Sequence, residues 1–339
     1  MLLFKGLPAS PYTRKMLGLL RYRRIPYRYI QHGHGQFQDL PIPKVDLIPV
    51  FYFTDEQGEL EAQVDSTFIL RRLENNYKGR SVIPPPPALR FLDYLIEDYA
   101  DEWMTKAMFH YRWHYAPDAK KASEVLPYWG NMTASKEYLA GKTREFHDRQ
   151  IDRLYVVGSN AATAPLIEAS YRRFLGCLDQ HLEQFSFLMG GRPGACDFAL
   201  FGQLTQLAQF DPTPETLTLE TVPRVYAWVS RLEDLSGFEI VDEDWISLDP
   251  VPATLIALLK EMGRTYAPVM LANAAAVMAG ESHVRTTVDG QSWEQTAFRY
   301  QARCLQWIRQ EYLGLDANSA ALVDSLLVDT DCECLLAVG

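Results

Sequence analysis

Ser10 is well placed to do chemistry because it lies between a short apolar strand, residues 2–4, and a predicted helix. The N-terminus of a helix presents unpaired N–H groups and favours an anion such as a thiolate. An ordinary thiol with a pKa of about 8.5 is roughly 3% ionised at pH 7. To ionise it, the site must lower its pKa by about 2 units, which corresponds to about 2.7 kcal/mol of stabilisation of the thiolate. A hydrogen bond to a charged group contributes about 1.5–3 kcal/mol and the helix terminus about 0.3–1. Ser10 could therefore ionise a bound thiol without a catalytic base.

Two further segments offer groups that would hold a peptide ligand. Pro49 follows Ile48 at a turn into the apolar strand 50–53. A cis bond there would leave the backbone of Ile48 free to pair with an extended peptide. Asp65 and Ser66 open a helix whose apolar residues recur at helical spacing, so the groups of its first turn converge on a small volume. A ligand carboxylate fits there, and Asp65 would take a ligand ammonium.

Each segment taken alone also has a purely structural interpretation. Ser10 and Asp65 are good helix caps, and Ile48-Pro49 alone is consistent with a trans turn. The order of elements favours a site: strand, helix, strand, a turn with proline, two strands and a helix follow one another within residues 1–80. This is the thioredoxin-like layout, and it brings all three segments to one edge.

Four motifs within about residues 1–240 resemble those of the glutathione S-transferase superfamily. In chain order they resemble its serine-type active-site segment, its cis-proline motif, its acidic-Ser motif and the N-terminal capping box of its central helix. The motifs are Ser10-Pro11-Tyr12 with Arg14 and Lys15, Ile48-Pro49-Val50, Asp65-Ser66 with Ile69 and Leu73, and residues 191–198.

The resemblance implies an α/β thioredoxin-like domain that binds glutathione as a co-substrate, followed by an all-α domain, and a homodimer. It implies that Ser10 stabilises the glutathione thiolate. Ile48 and Pro49 would hold the cysteinyl backbone, and Asp65 and Ser66 the glutamyl end.

Several positions depart from the family pattern. Gly194 stands where the central helix usually has a capping Ser or Thr, although Asp197 keeps the acidic position. Leu47 stands two residues before Pro49, where relatives often have Lys, and Lys44 is the candidate substitute for binding glutathione. The stretch 36–46 matches the family poorly. Residues 10–13 also lack both cysteines of a dithiol oxidoreductase, which excludes disulfide exchange at this site.

The composition is that of a globular intracellular protein. The chain has 339 residues, of which 47% are hydrophobic, enough for two or three domains. Its five cysteines show no disulfide framework, which favours a reduced, cytoplasmic compartment. No export signal is evident, and the longest mostly apolar stretch, 266–279, is shorter than the roughly 20 residues of a membrane span.

A net charge of −10 disfavours a nucleic-acid partner. Cys332 and Cys334 lack further ligands nearby, so no metal is expected.

The chain divides into four parts. Residues 1–80 form the predicted glutathione-binding domain, 81–87 a proline-rich linker, 88–245 the helical domain, and 246–339 a mostly helical extension. The extension has helical runs at 252–262 and 293–313 and a possible strand at 284–288. We expect it either to dock structurally or to cover the electrophile pocket and narrow the range of substrates.

An aromatic cluster near the end of the first long helix is the candidate pocket for the electrophile. Aromatic and His side chains bury apolar molecules and can bond their polar ends. Ordinary core packing explains the same cluster. The candidate pocket residues are Tyr12, Phe109, His110 and Trp113.

The sequence thus predicts a glutathione S-transferase-like enzyme that activates the glutathione thiolate for attack on a small hydrophobic electrophile, in a detoxifying role. The alternative is a non-catalytic protein that keeps the fold as an interaction or glutathione-binding surface. The long extension favours the alternative, whereas joint retention of Ser10, Ile48-Pro49 and Asp65-Ser66 favours the enzyme. Conjugation, dehalogenation and peroxide reduction would all use the same site, and the sequence does not identify the electrophile.

Overall fold

The N-terminal part of the chain is a thioredoxin-like domain with a mixed four-stranded sheet and two helices. A computed structural model describes residues 1–31 and 39–337 of the protein. Strand β1 (Leu2–Gly6) runs parallel to β2 (Tyr27–Gln31) and antiparallel to β3 (Val50–Thr54), and β4 (Leu60–Gln63) pairs with β3, which gives the order β2-β1-β3-β4. The predicted fold class is confirmed. The two helices are α1 (Pro11–Tyr22), between β1 and β2, and α2 (Ser66–Asn76), after β4.

Helix α1 begins where the local sequence predicts. Ser10 is its N-cap and accepts a hydrogen bond from the Thr13 N–H, while Pro11 occupies the first helical position, where no N–H is needed. The buried face of α1 includes Met16, Leu19 and Leu20. That face holds the N-terminus of α1 in place, and with it Ser10.

The next part of the chain is helical. A π-helical turn, Ala100–Met104, joins the first two of its helices, and a 3₁₀ turn, Leu154–Val157, lies further on. The helices are α3 (Pro87–Tyr99), α4 (Thr105–His114), α5 (Ala116–Gly130), α6 (Lys136–Ile151), α7 (Ala164–Leu182), α8 (Ala195–Leu207), α9 (Pro212–Thr221) and α10 (Pro223–Leu232).

The extension has both helices and a hairpin. One continuous core contains Phe4 of β1, Phe198 of α8 and Leu255 of the extension, so the extension is packed onto the body. The four-part division predicted for the chain stays a prediction. The extension consists of α11 (Ala253–Met278), β5 (His283–Val288), β6 (Gln291–Thr296), α12 (Arg299–Leu313), α13 (Ala317–Leu327) and a 3₁₀ segment, Cys332–Leu336.

The predicted strand at 284–288 is confirmed as β5, but the helix predicted to begin at Trp293 is wrong at its start. Trp293 lies in β6, and α12 begins at Arg299. Asp289 and Gly290, with φ of 49° and 72°, form the two-residue turn of the β5–β6 hairpin. A two-residue turn with two positive φ values is the type that an Asp-Gly pair favours. That dipeptide was the signal that helical periodicity obscured.

The start of α8 shows how the chain replaces the missing capping side chain at Gly194. Asp197 Oδ2 accepts from the Gly194 N–H at 2.8 Å, as a capping box requires. Asp93 Oδ1, from α3, accepts from the Cys196 N–H at 3.0 Å. A Cβ at position 194 would meet Asp93 Oδ1 and lie 2.5 Å from Met189 Cγ. Asp93 therefore supplies the cap bond that a hydroxyl would otherwise supply, and a glycine at position 194 leaves room for the Asp93 carboxylate.

We predict that Gly194→Ser, which introduces a capping hydroxyl, destabilises the protein by about 1–3 kcal/mol because the new side chain overpacks the site. Urea unfolding measures the effect. The double variant Gly194→Ser/Asp93→Ala should be more stable than additivity predicts, because the serine hydroxyl takes over the cap. A Gly194→Ser protein as stable as the wild type would contradict this explanation.

Asp93 and Asp197 also give the fold a defined pH dependence. Both carboxyls are fully buried, and burial raises the pKa of each to about 7. Asp93 Oδ2 has no hydrogen-bond partner among residues 1–31 and 39–337. Between the unfolded pKa of about 3.9 and the folded value, the folded chain binds more protons than the unfolded chain. Stability is therefore lost as the pH rises through 7.

We predict that the free energy of unfolding falls between pH 6 and pH 8 by about 1 kcal/mol for each of these two carboxyls. Urea unfolding at several pH values measures the slope. In Asp93→Asn the slope should be shallower, because the amide does not titrate. An unfolding free energy that increases with pH across this interval would contradict the assignment.

Candidate functional site

Ser10 lies between the N-terminus of α1 and the turn that precedes β3. Its Oγ accepts from the Thr13 N–H at 3.2 Å and donates to the Ile48 carbonyl at 3.4 Å. The Ile48-Pro49 bond is cis, which confirms that prediction. The hydroxyl is half-buried. The first two predicted segments are therefore in direct contact, with the candidate catalytic atom between them.

Asp65 and Ser66 form the start of α2. Asp65 is the N-cap, and its Oδ1 accepts from the Thr67 N–H at 3.2 Å. Its backbone has φ 82°, a region that non-glycine residues rarely adopt. Such a conformation costs of order 1–3 kcal/mol and is most often kept at functional positions. Ser66 is buried, whereas Asp65 is half-buried. The strained backbone supports a functional interpretation of this turn.

A buried group of charges beneath these segments fixes them relative to each other. Lys15 Nζ, from α1, lies 2.7 Å from Glu97 Oε1 and 2.6 Å from Asp101 Oδ2. Thr67 Oγ1, one residue after Ser66, donates to Glu97 at 3.2 Å and lies 3.4 Å from Asp101. The Tyr12 hydroxyl donates to the Asp101 carbonyl at 2.8 Å. The Ser10 and Asp65 segments therefore both dock on the end of α3 and the π-helical turn that follows it.

The charges in this group balance. Burial acts to lower the pKa of Lys15, but Asp101 and Glu97 outweigh it and raise that pKa. Burial acts to raise the pKa of Glu97, but Arg71, 2.7 Å from Glu97 Oε2, and Lys15 lower it to about 2. Burial raises the pKa of Asp101 to about 6. At neutral pH two cations face two carboxylates in the interface between the domains.

The residues predicted to line an electrophile pocket lie mostly in packed surroundings. His110 is fully buried, with Nδ1 2.8 Å from Ser159 Oγ and Nε2 3.3 Å from Glu168 Oε1. Burial lowers the pKa of His110 to about 4, so it is neutral at pH 7. Trp113 is buried next to Phe109, which is half-buried. Packing accounts for these positions, and a role in substrate binding stays a prediction.

The remaining predicted positions lie at the surface. Lys44 and Leu47 are exposed, and a contact from Lys44 to glutathione stays a prediction. Residues 36–38 of the poorly matching stretch lie outside the described residues. Two clefts, of about 560 and 340 Å³, are lined by residues of the extension and by residues around α10. Neither cleft includes a predicted site residue.

Sequence reasoning missed Tyr300, which comes from the extension. Its hydroxyl donates to Asp65 Oδ2 at 2.6 Å. Because the two residues are 235 positions apart, no local pattern could indicate the contact. The extension therefore reaches the predicted glutamyl subsite.

The described part of the chain has neither a cluster of metal-binding side chains nor a membrane-spanning helix. Within residues 1–31 and 39–337, no three His, Cys, Asp or Glu side chains are arranged to hold a metal ion. No helix in the same part of the chain is long and apolar enough to cross a membrane.

Two family models match the chain. Residues 4–81 match the glutathione S-transferase N-terminal domain, and residues 150–231 match the glutathione S-transferase C-terminal domain. No curated protein sequence shows significant similarity.

Solved structures with a similar arrangement are distant in sequence. A glutathione S-transferase from Rhodospirillum rubrum is 16% identical, with a TM-score of 0.42, over 75% of this chain and 98% of that one. A glutathione transferase from Burkholderia graminis, with two glutathione molecules bound per subunit, is 18% identical, with a TM-score of 0.40, over 70% and 89%. One from Methylobacterium radiotolerans, in complex with glutathione sulfonate, is 17% identical, with a TM-score of 0.43, over 71% and 98%.

We predict that Lys15→Met destabilises the protein by about 3–5 kcal/mol, because it leaves Asp101 without its cation in a buried position. Urea unfolding measures the loss. Lys142→Met is the control, since Lys142 and Glu145 form an exposed pair at 2.9 Å and the loss of an exposed pair should have little effect on stability. Equal effects of the two substitutions would contradict the structural role of Lys15.

Proposed function

Because the chain belongs to the glutathione S-transferase superfamily, we propose that it is a glutathione-dependent transferase in which Ser10 stabilises the thiolate of bound glutathione. The observation that carries this proposal is the position of the Ser10 hydroxyl. It lies at the N-terminus of α1 and within 3.4 Å of the carbonyl of Ile48, which precedes the cis-proline.

The position of Ser10 suits thiolate stabilisation in three ways. The helix N-terminus favours an anion. Oγ already accepts a hydrogen bond from the Thr13 N–H, which orients the hydroxyl so that its proton is available to another group. Its bond to the Ile48 carbonyl, at 3.4 Å, is long for an O–H donor and is therefore weak. A thiolate would replace that carbonyl as a stronger, charged acceptor.

The other predicted residues would hold the rest of the tripeptide. The backbone of Ile48, next to Pro49, would pair with the cysteinyl unit as one strand pairs with another. Asp65 would bond the ammonium of the glutamyl unit. Ser66 and the N–H groups of the first turn of α2 would receive its carboxylate. Lys44 is the candidate for the glycine end.

In the proposed reaction, the glutathione sulfur uses a lone pair to form a bond to an electrophilic atom of a small hydrophobic substrate. In conjugation to an alkene or epoxide, the electrons move onto the substrate, which is then protonated. In dehalogenation, the bond to the halide breaks and the halide leaves. A homodimer, a cytoplasmic location and a role in detoxification belong to the same proposal.

A second candidate function is a non-catalytic protein that uses the fold as a binding surface. One observation favours it: both oxygens of Asp65 already have partners within the chain, Thr67 and Tyr300. A carboxylate that is satisfied internally has less to gain from a ligand ammonium.

We predict that glutathione binds to the wild type and that its thiol pKa falls by about 2 units, and that Ser10→Ala keeps binding but loses most of that shift. Calorimetric titration measures binding, and ultraviolet absorbance of the thiolate measures the pKa. The stabilisation removed is that of one hydrogen bond to a charged sulfur, about 1.5–3 kcal/mol.

Ser135→Ala is the matched control. Ser135 caps α6 by accepting from the Tyr138 N–H at 3.2 Å, the same cap bond at the same length as that of Ser10. Its loss should lower stability by about 1 kcal/mol and leave the thiol pKa of bound glutathione unchanged. No binding at millimolar glutathione would overturn the proposal. Binding without a pKa shift in the wild type would instead support the glutathione-binding protein without activation.

A further inference from the structure

We propose that Tyr300 is an internal competitor for the glutamyl subsite, and that glutathione must displace its hydroxyl from Asp65 in order to bind. This inference rests on the proposed function, because it assigns Asp65 to the ammonium of glutathione. It makes the extension a determinant of glutathione affinity, whereas the sequence had suggested a cover over the electrophile pocket.

The contact itself is a strong one. The Tyr300 hydroxyl lies 2.6 Å from Asp65 Oδ2, a length typical of a hydroxyl that donates to a carboxylate. The other oxygen, Oδ1, accepts from the Thr67 N–H and caps α2. A ligand ammonium can therefore bind to Oδ2 without breaking the hydrogen bond that caps α2. In this structure the Tyr300 hydroxyl is bonded to that oxygen.

The surrounding contacts hold Tyr300 over Asp65. The start of α12 is anchored by Asn273, which is fully buried, accepts from the Phe298 N–H at 2.8 Å and donates to the Phe298 carbonyl at 2.9 Å. About two turns further on, Trp307 packs edge to face against Phe68 of α2, with ring centroids 4.7 Å apart. The two anchors flank Tyr300 and bring α12 against the helix that Asp65 caps.

The Tyr300 side chain can nevertheless leave without unfolding the extension. The residue is 37% exposed, so its ring already faces water on one side. The Tyr300 hydroxyl takes no part in either contact that anchors α12, that of Asn273 with Phe298 or that of Trp307 with Phe68. Burial, with Cys304 and Asp65 nearby, raises the pKa of Tyr300, so the hydroxyl stays protonated and remains a donor across the physiological range. Rotation of one side chain is enough to expose Asp65 Oδ2.

An ammonium is a suitable group to displace the phenol. It brings a full positive charge to the carboxylate, whereas the phenol brings only a dipole. When glutathione binds, its ammonium forms an ion pair with Asp65 and the hydrogen bond from Tyr300 to Asp65 breaks. The net gain in binding free energy is therefore smaller than at a carboxylate without an internal partner. The bond from Tyr300 would set the apparent affinity.

The test is calorimetric titration of glutathione into the wild type, Tyr300→Phe and Tyr312→Phe. Tyr312 is the matched control because it lies on the same helix and its hydroxyl donates to Asp324 at the same 2.6 Å, away from Asp65. We expect Tyr300→Phe to bind about tenfold more tightly than the wild type, a difference of about 1.4 kcal/mol. Tyr312→Phe should bind as the wild type does.

The outcomes separate the two proposals. If the wild type binds glutathione and Tyr300→Phe binds equally or more weakly, the competition is overturned and the proposed function stands. If none of the three proteins binds at millimolar glutathione, both are overturned.

Fluorescence provides a second measurement that does not depend on affinity. The rings of Tyr300 and Trp307 lie 5.8 Å apart, so displacement of Tyr300 changes the surroundings of the indole. Saturating glutathione should alter the emission of the wild type, and Trp307→Phe should lose that change. An emission change of equal size in wild type and Trp307→Phe would show that Tyr300 stays in place and would overturn the competition.

Discussion

The arrangement of this protein depends on one buried cation, Lys15, at the interface between the thioredoxin-like and helical domains. Its side chain is about 1% exposed, and it lies within 2.7 Å of carboxylates on Glu97 and Asp101. Placing an ammonium there would cost several kcal/mol if it were unpaired, and without Lys15 the buried Asp101 would lose its cation, whereas Glu97 would keep Arg71 at 2.7 Å. An arrangement of the domains that separated these charges would therefore be penalised, which favours the register in which they meet. Burial of apolar surface supplies the attraction, and the buried charges favour one alignment over others.

That alignment also determines the geometry of the candidate site. Ser10 is five residues before Lys15 on the same helix, and Thr67, which follows the Asp65-Ser66 turn, bonds to the same two carboxylates. The thiolate end and the glutamyl end of the proposed subsite are thus attached to one rigid group. A peptide ligand would then bind to residues that are already in place, which reduces the entropy lost on binding.

Much of the fold follows from local sequence signals. The capping roles of Ser10 and Asp65 and the cis bond at Pro49 were readable, because each depends on residues close together in the chain. The sequence places the start of α12 too early, at Trp293, because the helical spacing of apolar residues masks the Asp289-Gly290 turn. Two contacts could not be predicted at all, since they join residues far apart: Asp93 with Cys196 and Tyr300 with Asp65. Both involve carboxylates whose partners only the tertiary structure reveals.

A crystal structure of the protein with glutathione tests the central claim most directly. The account predicts that the sulfur lies within hydrogen-bond distance of Ser10 Oγ, with the cysteinyl unit paired to the backbone of Ile48 and the ammonium on Asp65. A glutathione molecule bound with its sulfur away from Ser10, or a site that stays empty in crystals soaked at millimolar concentration, would contradict it.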